Sequence, residues 1–248
     1  MKLRKLIFNG SLGIGLILAS ASPAMAAGFE TLTKSGETVL KPCNPNNVAT
    51  NTTCLVTSLP GESGYTLVAA RSAPLIYNEV TIGTLYEKVW RNQADDRIYI
   101  FGARVVMNAN PYDSSGAAFN VNDIFRQTRP HRAVSVAYFR DGATQALQSA
   151  GRTVQGLNEF EADQPERDNT WVNFRIDANA AEQSGPGSAA SPWLLTKTKA
   201  PTGYALNALG LRVLNSDVEA ILDAVDFYTA SYQPNGVPPP EDDEEDEE

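Results

Sequence analysis

Histidine is almost absent from this sequence: His131 stands alone among 248 residues. A metal site built on several imidazoles is thereby excluded, and any histidine-dependent triad would have to pass through His131. Cysteine is nearly as scarce, with Cys43 and Cys54 only. Two thiols with no histidine nearby make a poor zinc site. No glycine-rich phosphate loop follows a strand, since Gly185-Pro186-Gly187-Ser188 sits among alanine and serine and reads as a plain loop. A G-x-S-x-G nucleophile elbow is missing too.

Positive charge is in deficit, with 20 Lys and Arg against 29 Asp and Glu and a net charge of −9. The basic surface that nucleic-acid binding draws on is therefore not expected. The acids are unevenly spread. Residues 241–248 are all acidic and follow Pro238, Pro239 and Pro240. Residues 234–248 accordingly read as a disordered, Pro-rich and acidic tail: prolines stiffen the spacer and like charges repel. Such a tail solubilises the chain or docks on a basic partner.

Long apolar runs are absent beyond the first residues. Lys2, Arg4 and Lys5 precede an apolar stretch over residues 6–21, and Ala24-Met25-Ala26 follows. A basic start, a short apolar run and an A-x-A site make residues 1–26 a secretory signal peptide cut after Ala26. The run is too short and too rich in Gly and Ser for a membrane anchor, which needs about 20 mostly apolar residues. Removing it takes three cations and no acid, so the mature chain is more acidic still. Export also places Cys43 and Cys54 where they oxidise, so they are expected to form one disulfide across an Asn-rich loop. No membrane span is expected in the mature chain, which is placed in the periplasm or extracellular space.

The body, residues 27–233, reads as one all-β domain. Residues 84–90 and 97–107 are rich in β-formers and flank the turn Asn92-Gln93-Ala94-Asp95-Asp96, which is a hairpin signal. Gly102 inside the second run suggests a bulge. Residues 133–139 alternate, with Val134, Val136 and Tyr138 on one face. Residues 171–177 alternate too, with Val172, Phe174 and Ile176 opposite Trp171, Asn173, Arg175 and Asp177. Residues 204–214 are a further strand. Short strands between Gly-, Pro- and Asn-rich loops predict an antiparallel, jelly-roll-like β-sandwich. One or two short helices interrupt it: residues 120–126 read as a helical turn. Residues 216–219 fit a capping box. Residues 225–232 read as a last strand because they are aromatic-rich and follow an Asn-Ser-Asp turn.

Three groups of residues invite a functional reading. His131 lies in the basic stretch Arg126-Gln127-Thr128-Arg129-Pro130-His131-Arg132, which would suit an anion-binding patch or a general base. Neighbouring cations disfavour a charged imidazole, and a solvated loop leading into the strand at Ala133 is the favoured reading. Glu161, Asp163 and Glu166 have the spacing E-x-D-x-x-E. That spacing resembles the catalytic strand of laminarinase-like secreted glycosidases. The resemblance implies one Glu as nucleophile and the other as acid/base, about 5–5.5 Å apart. Pro165 would remove a ladder donor from such a strand, so a solvated acidic loop is the competing reading. The same acids with Asp168 allow calcium, although no EF-hand loop is present and no cofactor is demanded. Aromatics form the third group. Trp90, Trp171, Trp193, Tyr86, Tyr99, Tyr112 and Tyr138 would stack on sugar rings if they shared an open face, and would otherwise fill the core. Alternation turns Trp171 outward beside Asn173, Arg175 and Asp177, so these four are the candidate ligand-binding set.

Taken together, the residues favour an exported, non-catalytic β-sandwich with a binding role, carbohydrate among the ligands, or a structural role. A glycan or another extracellular protein is the expected partner. The alternatives are a secreted glycoside hydrolase using Glu161 and Glu166, and a self-assembling structural protein. N-terminal sequencing of exported material is expected to read Ala27-Gly28-Phe29. A chain beginning at Met1 would contradict the export reading.

Overall fold

A computed structural model describes residues 28–32, 40–44, 53–130, 132–142, 146–154, 168–179, 189–215 and 225–236. Residues 1–26, His131, Glu161, Asp163, Glu166, residues 216–219 and residues 241–248 lie outside them. In chain order the described strands are β1 (Glu30–Thr31), β2 (Leu40–Pro42), β3 (Tyr65–Tyr77), β4 (Val80–Asn92), β5 (Ile98–Met107) and β6 (Asn120–Gln127). They continue with β7 (Val134–Phe139), β8 (Ser149–Gly151), β9 (Trp171–Asn179), β10 (Trp193–Lys199), β11 (Tyr204–Asn215) and β12 (Val225–Pro234).

The strands form two antiparallel sheets of six. The first runs β1-β7-β10-β5-β4-β3 and the second β12-β11-β6-β9-β8-β2. One core lies between them. Leu85, Val105, Val136, Tyr138 and Leu194 of the first sheet meet Ile124, Val172, Phe174, Ile176 and Val213 of the second. The period of two that marked β7 and β9 is thus the alternation between core and outer face, and the chain is an all-β sandwich. Among the described residues no helix is long and apolar enough to cross a membrane.

Two local expectations are overturned. Residues 120–126 are not a helical turn: they belong to β6, which pairs with both β9 and β11. Asn122, Asp123, Arg126 and Gln127 are all buried there, so polar residues masked a central strand. Gly102 causes no bulge, since β5 keeps its register on both β4 and β10. A Cβ at Gly102 would come within 3.0 Å of the Trp90 ring and 3.1 Å of Leu195. The glycine makes room for an indole lying across the sheet.

The sandwich is fastened near both edges. At one, Cys43 and Cys54 form the expected disulfide, with Cα atoms 5.4 Å apart and both residues fully buried. The Cys43 amide donates to Gln148 O beside β8, and Cys54 O accepts from the Tyr138 amide of β7. The bond therefore ties an edge of the second sheet to an edge of the first. At the other side, Glu87 of β4 is buried between the sheets. Its Oε2 accepts from Arg71 Nε of β3 at 2.7 Å, and its Oε1 from Arg126 Nη2 of β6 at 3.2 Å. Ser231 Oγ and the Tyr232 amide of β12 also bond Oε1, at 2.5 and 3.2 Å. Arg126 continues to Ser231 Oγ and Tyr232 O, and Arg71 to Ala230 O.

The hairpin between β4 and β5 uses the turn residues expected of it. Asn92 Oδ1 accepts from the Ala94 and Asp95 amides. Asp95 accepts from the side chain and amide of Arg97. The Arg97 guanidinium, helped by that amide, holds the Asp95 carboxyl down at about 2 from its ordinary 3.8.

Two outcomes follow from these contacts. Glu87→Gln leaves the buried Arg126 and the half-buried Arg71 guanidinium without their carboxylate and is expected to lower the unfolding free energy by about 3–5 kcal/mol in urea titration. A loss below about 1 kcal/mol would contradict the role given to Glu87. Because the folded pKa of Asp95 lies below the unfolded one, its contribution is present above about pH 4 and lost as pH falls toward 2. A carboxyl NMR titration of Asp95 with a midpoint near 4 would contradict this.

Candidate ligand-binding groove

The four residues singled out on β9 do share one face, the outer face of the second sheet. That face is covered at Trp171, which is 5% exposed and packs with Phe125, Leu214 and Val154. Its ring also lies 6.1 Å from that of Tyr228. Asn173 is fully buried and donates to Asp123 Oδ1 at 2.7 Å. The Arg175 guanidinium stands 3.7 Å from the same oxygen. Burial pushes the Arg175 pKa down and the Asp123 charge pulls it back up. Asp177 is half-buried at the far end of the strand. Asp168, a candidate calcium ligand, spends Oδ1 on the Thr170 amide and hydroxyl and the Trp171 amide. Glu161, Asp163 and Glu166 lie outside the described residues, so no geometry relates them to β9. Among the described residues no group of three His, Cys, Asp or Glu is placed to hold a metal ion.

The aromatics divide differently. Tyr138 is in the central core. Tyr99 packs on Phe101 and Tyr204 within the sandwich. Tyr112 packs on Tyr77 and Phe119 at one end. Trp90 faces outward from the first sheet but is roofed by Val56 and Leu59, with Ile100 and Leu195 beneath the same cover. Of these aromatics, Tyr86 alone is exposed, and the largely buried Trp193 lines the same groove beside it. Register explains why. On β4, Tyr86 pairs with Arg104 of β5 on one side and Ser72 of β3 on the other. Trp193 begins β10, one residue before Leu194, which pairs with Ala103. Tyr86, Arg104 and Trp193 therefore stand in one row across the outer face of the first sheet.

That row lines a groove of about 610 Å³, completed by Lys88 and Asp141. Tyr86 is 40% exposed. Asp141 Oδ2 accepts from Arg104 Nη1 at 2.8 Å and from Trp193 Nε1 at 3.0 Å. One carboxylate thus orients both a guanidinium and an indole. Asp141 sits at φ +45°, followed by Gly142 at +75°, so a tight left-handed turn after β7 delivers the carboxylate. The Lys88 ammonium covers the Trp193 ring at 4.9 Å. Tyr86 is then the open ring, with charged donors beside it. Arg104, Asp141 and Lys88 had no sequence signal of their own. Strand spacing was the available clue: Tyr86, Lys88 and Trp90 fall on one face at i, i+2 and i+4.

Antiparallel β-sandwich is the class that the fold defines. Comparison with protein-family models, with curated proteins and with solved structures finds no match.

Proposed function

We propose that this chain is an exported, non-catalytic binding protein that holds a carbohydrate in the groove of Tyr86, Arg104 and Trp193. The observation that carries the reading is the half-open Tyr86 ring beside an oriented Arg104–Asp141 pair. A sugar presents an apolar ring face and a rim of hydroxyls. An exposed aromatic takes the first, and fixed charged donors and acceptors take the second. Signal-like residues 1–26 and the buried Cys43–Cys54 disulfide support an oxidising, extracytoplasmic setting. We also read the chain's repeated passage between sheets, from β1 to β2, β2 to β3, β5 to β6, β6 to β7, β7 to β8, β9 to β10 and β10 to β11, as jelly-roll-like.

Self-assembly through sheet edges is the weaker alternative. The long outer strand β3 carries Pro74 and register shifts at 67–69 and 75–76, devices that blunt an edge against pairing.

Glycan-array screening of the exported chain, followed by calorimetry on the strongest binder, tests the reading. Tyr86→Ala is expected to weaken binding about tenfold, the loss of one aromatic stack. Asp141→Asn is expected to weaken it as well, by releasing Arg104 and Trp193. Trp171→Ala, on the opposite sheet, serves as the control. No glycan bound, or binding lost only in Trp171→Ala, would contradict the proposal.

A further inference from the structure

A second groove of about 580 Å³ opens on the same sheet, at the other end of β10. Its charged lining is Arg132, Lys197, Lys199 and Glu62. Lys197 is spoken for: its ammonium pairs with Glu62 and covers the Phe29 ring at 4.7 Å. Arg132 and Lys199 are exposed. Asp95, the other acid whose field reaches Lys199, is held by Arg97. The groove is thus a cationic spot on a chain whose net charge is −9.

The described chain ends beside it. Past β12, the Asn235 amide donates to Gly203 O at 2.9 Å. Asn235 O accepts from Thr202 Oγ1 at 3.0 Å and from Arg129 Nη1 at 3.2 Å. Thr202 is three residues from Lys199, and Arg129 three from Arg132, so each link spans at most about 11 Å. Val237, Pro238, Pro239 and Pro240 follow, then the acidic run 241–248. In extended form those four residues reach about 12 Å. The strongest negative charge of the sequence is therefore tethered within reach of its exposed cationic groove.

We propose that the Arg132–Lys199 groove holds the chain's own acidic segment, residues 241–248. Each exposed ion pair is weak alone. Tethering supplies the segment at an effective concentration of order millimolar, which makes several weak pairs sufficient. The docked segment shields this groove from free anions and leaves the Tyr86 groove open. The site does not depend on what the Tyr86 groove binds.

The test compares amide NMR spectra of the full chain with those of a chain ending at Gly236. The shorter chain keeps every described strand, and unchanged β6 and β9 amides verify its fold. Apart from the new terminus and its contacts at Arg129, Thr202 and Gly203, shifts are expected at Arg132, Ser135, Lys197 and Lys199. A synthetic peptide of residues 237–248 should reverse them in trans. It should bind the full chain about tenfold more weakly, because the tethered copy competes. The Arg132→Glu, Lys199→Glu double variant, or about 0.5 M salt, should abolish binding. Groove amides that ignore the truncation, or a peptide that binds both chains equally, would overturn the proposal. Shifts that vary with protein concentration would also overturn it, by showing docking between copies.

Discussion

Glu87 is a carboxylate enclosed between two sheets, and enclosed charge is tolerable only when it is fully paired. Four partners meet that demand: Arg71 and Arg126 by ion pairs, Ser231 and the Tyr232 amide by hydrogen bonds. The partners come from β3, β6 and β12, so pairing one carboxylate sets the relative position of both sheets on that side. Burial pushes the Arg126 pKa down, and Glu87 opposes the push. Glu87 is thus the carboxylate that compensates the buried Arg126 charge. At the opposite side the Cys43–Cys54 bond performs the same fastening covalently.

A sandwich held from within leaves its outer faces available, and the two faces differ. That of the second sheet is closed at Trp171, Asn173 and Phe125. That of the first sheet is roofed only in the middle, where Val56 and Leu59 cover Trp90 and Leu195. Open grooves remain on either side of the roof. One is aromatic with an oriented charge pair, and the other is cationic. The segment that begins at Cys54 forms this roof, so the disulfide that clasps the sheets also anchors the divider between the grooves.

Much of the architecture was legible because strands with one core face alternate. β7 and β9 were readable from apolar residues two apart, β4 and β5 from β-rich runs around a polar turn, and β12 from its aromatics after an Asn-Ser-Asp turn. β6 was not, because both its faces are buried and its polar residues satisfy one another inside. β3 was not, because Ala69, Ala70, Ser72, Ala73 and Pro74 give an edge strand little β signature. β10 was missed because its start is buried on both sides and shows no alternation. The outward direction of Trp171 was legible and its burial was not, since Val154 and Tyr228 reach it from elsewhere in the chain. The Tyr86 groove stayed hidden for the same reason. Arg104, Asp141 and Trp193 come from three separate strands or turns, and only register joins them.

The central claim is that ligand is held on the outer face of the first sheet, across β4, β5 and β10. An amide NMR titration of the labelled chain with the best-binding oligosaccharide tests it most directly. The account predicts shifts clustered at Ser72, Tyr86, Arg104, Asp141 and the Trp193 indole, with Trp171, Asn173 and Arg175 unmoved. Shifts clustered on β9 instead, with the Trp193 indole silent, would contradict it.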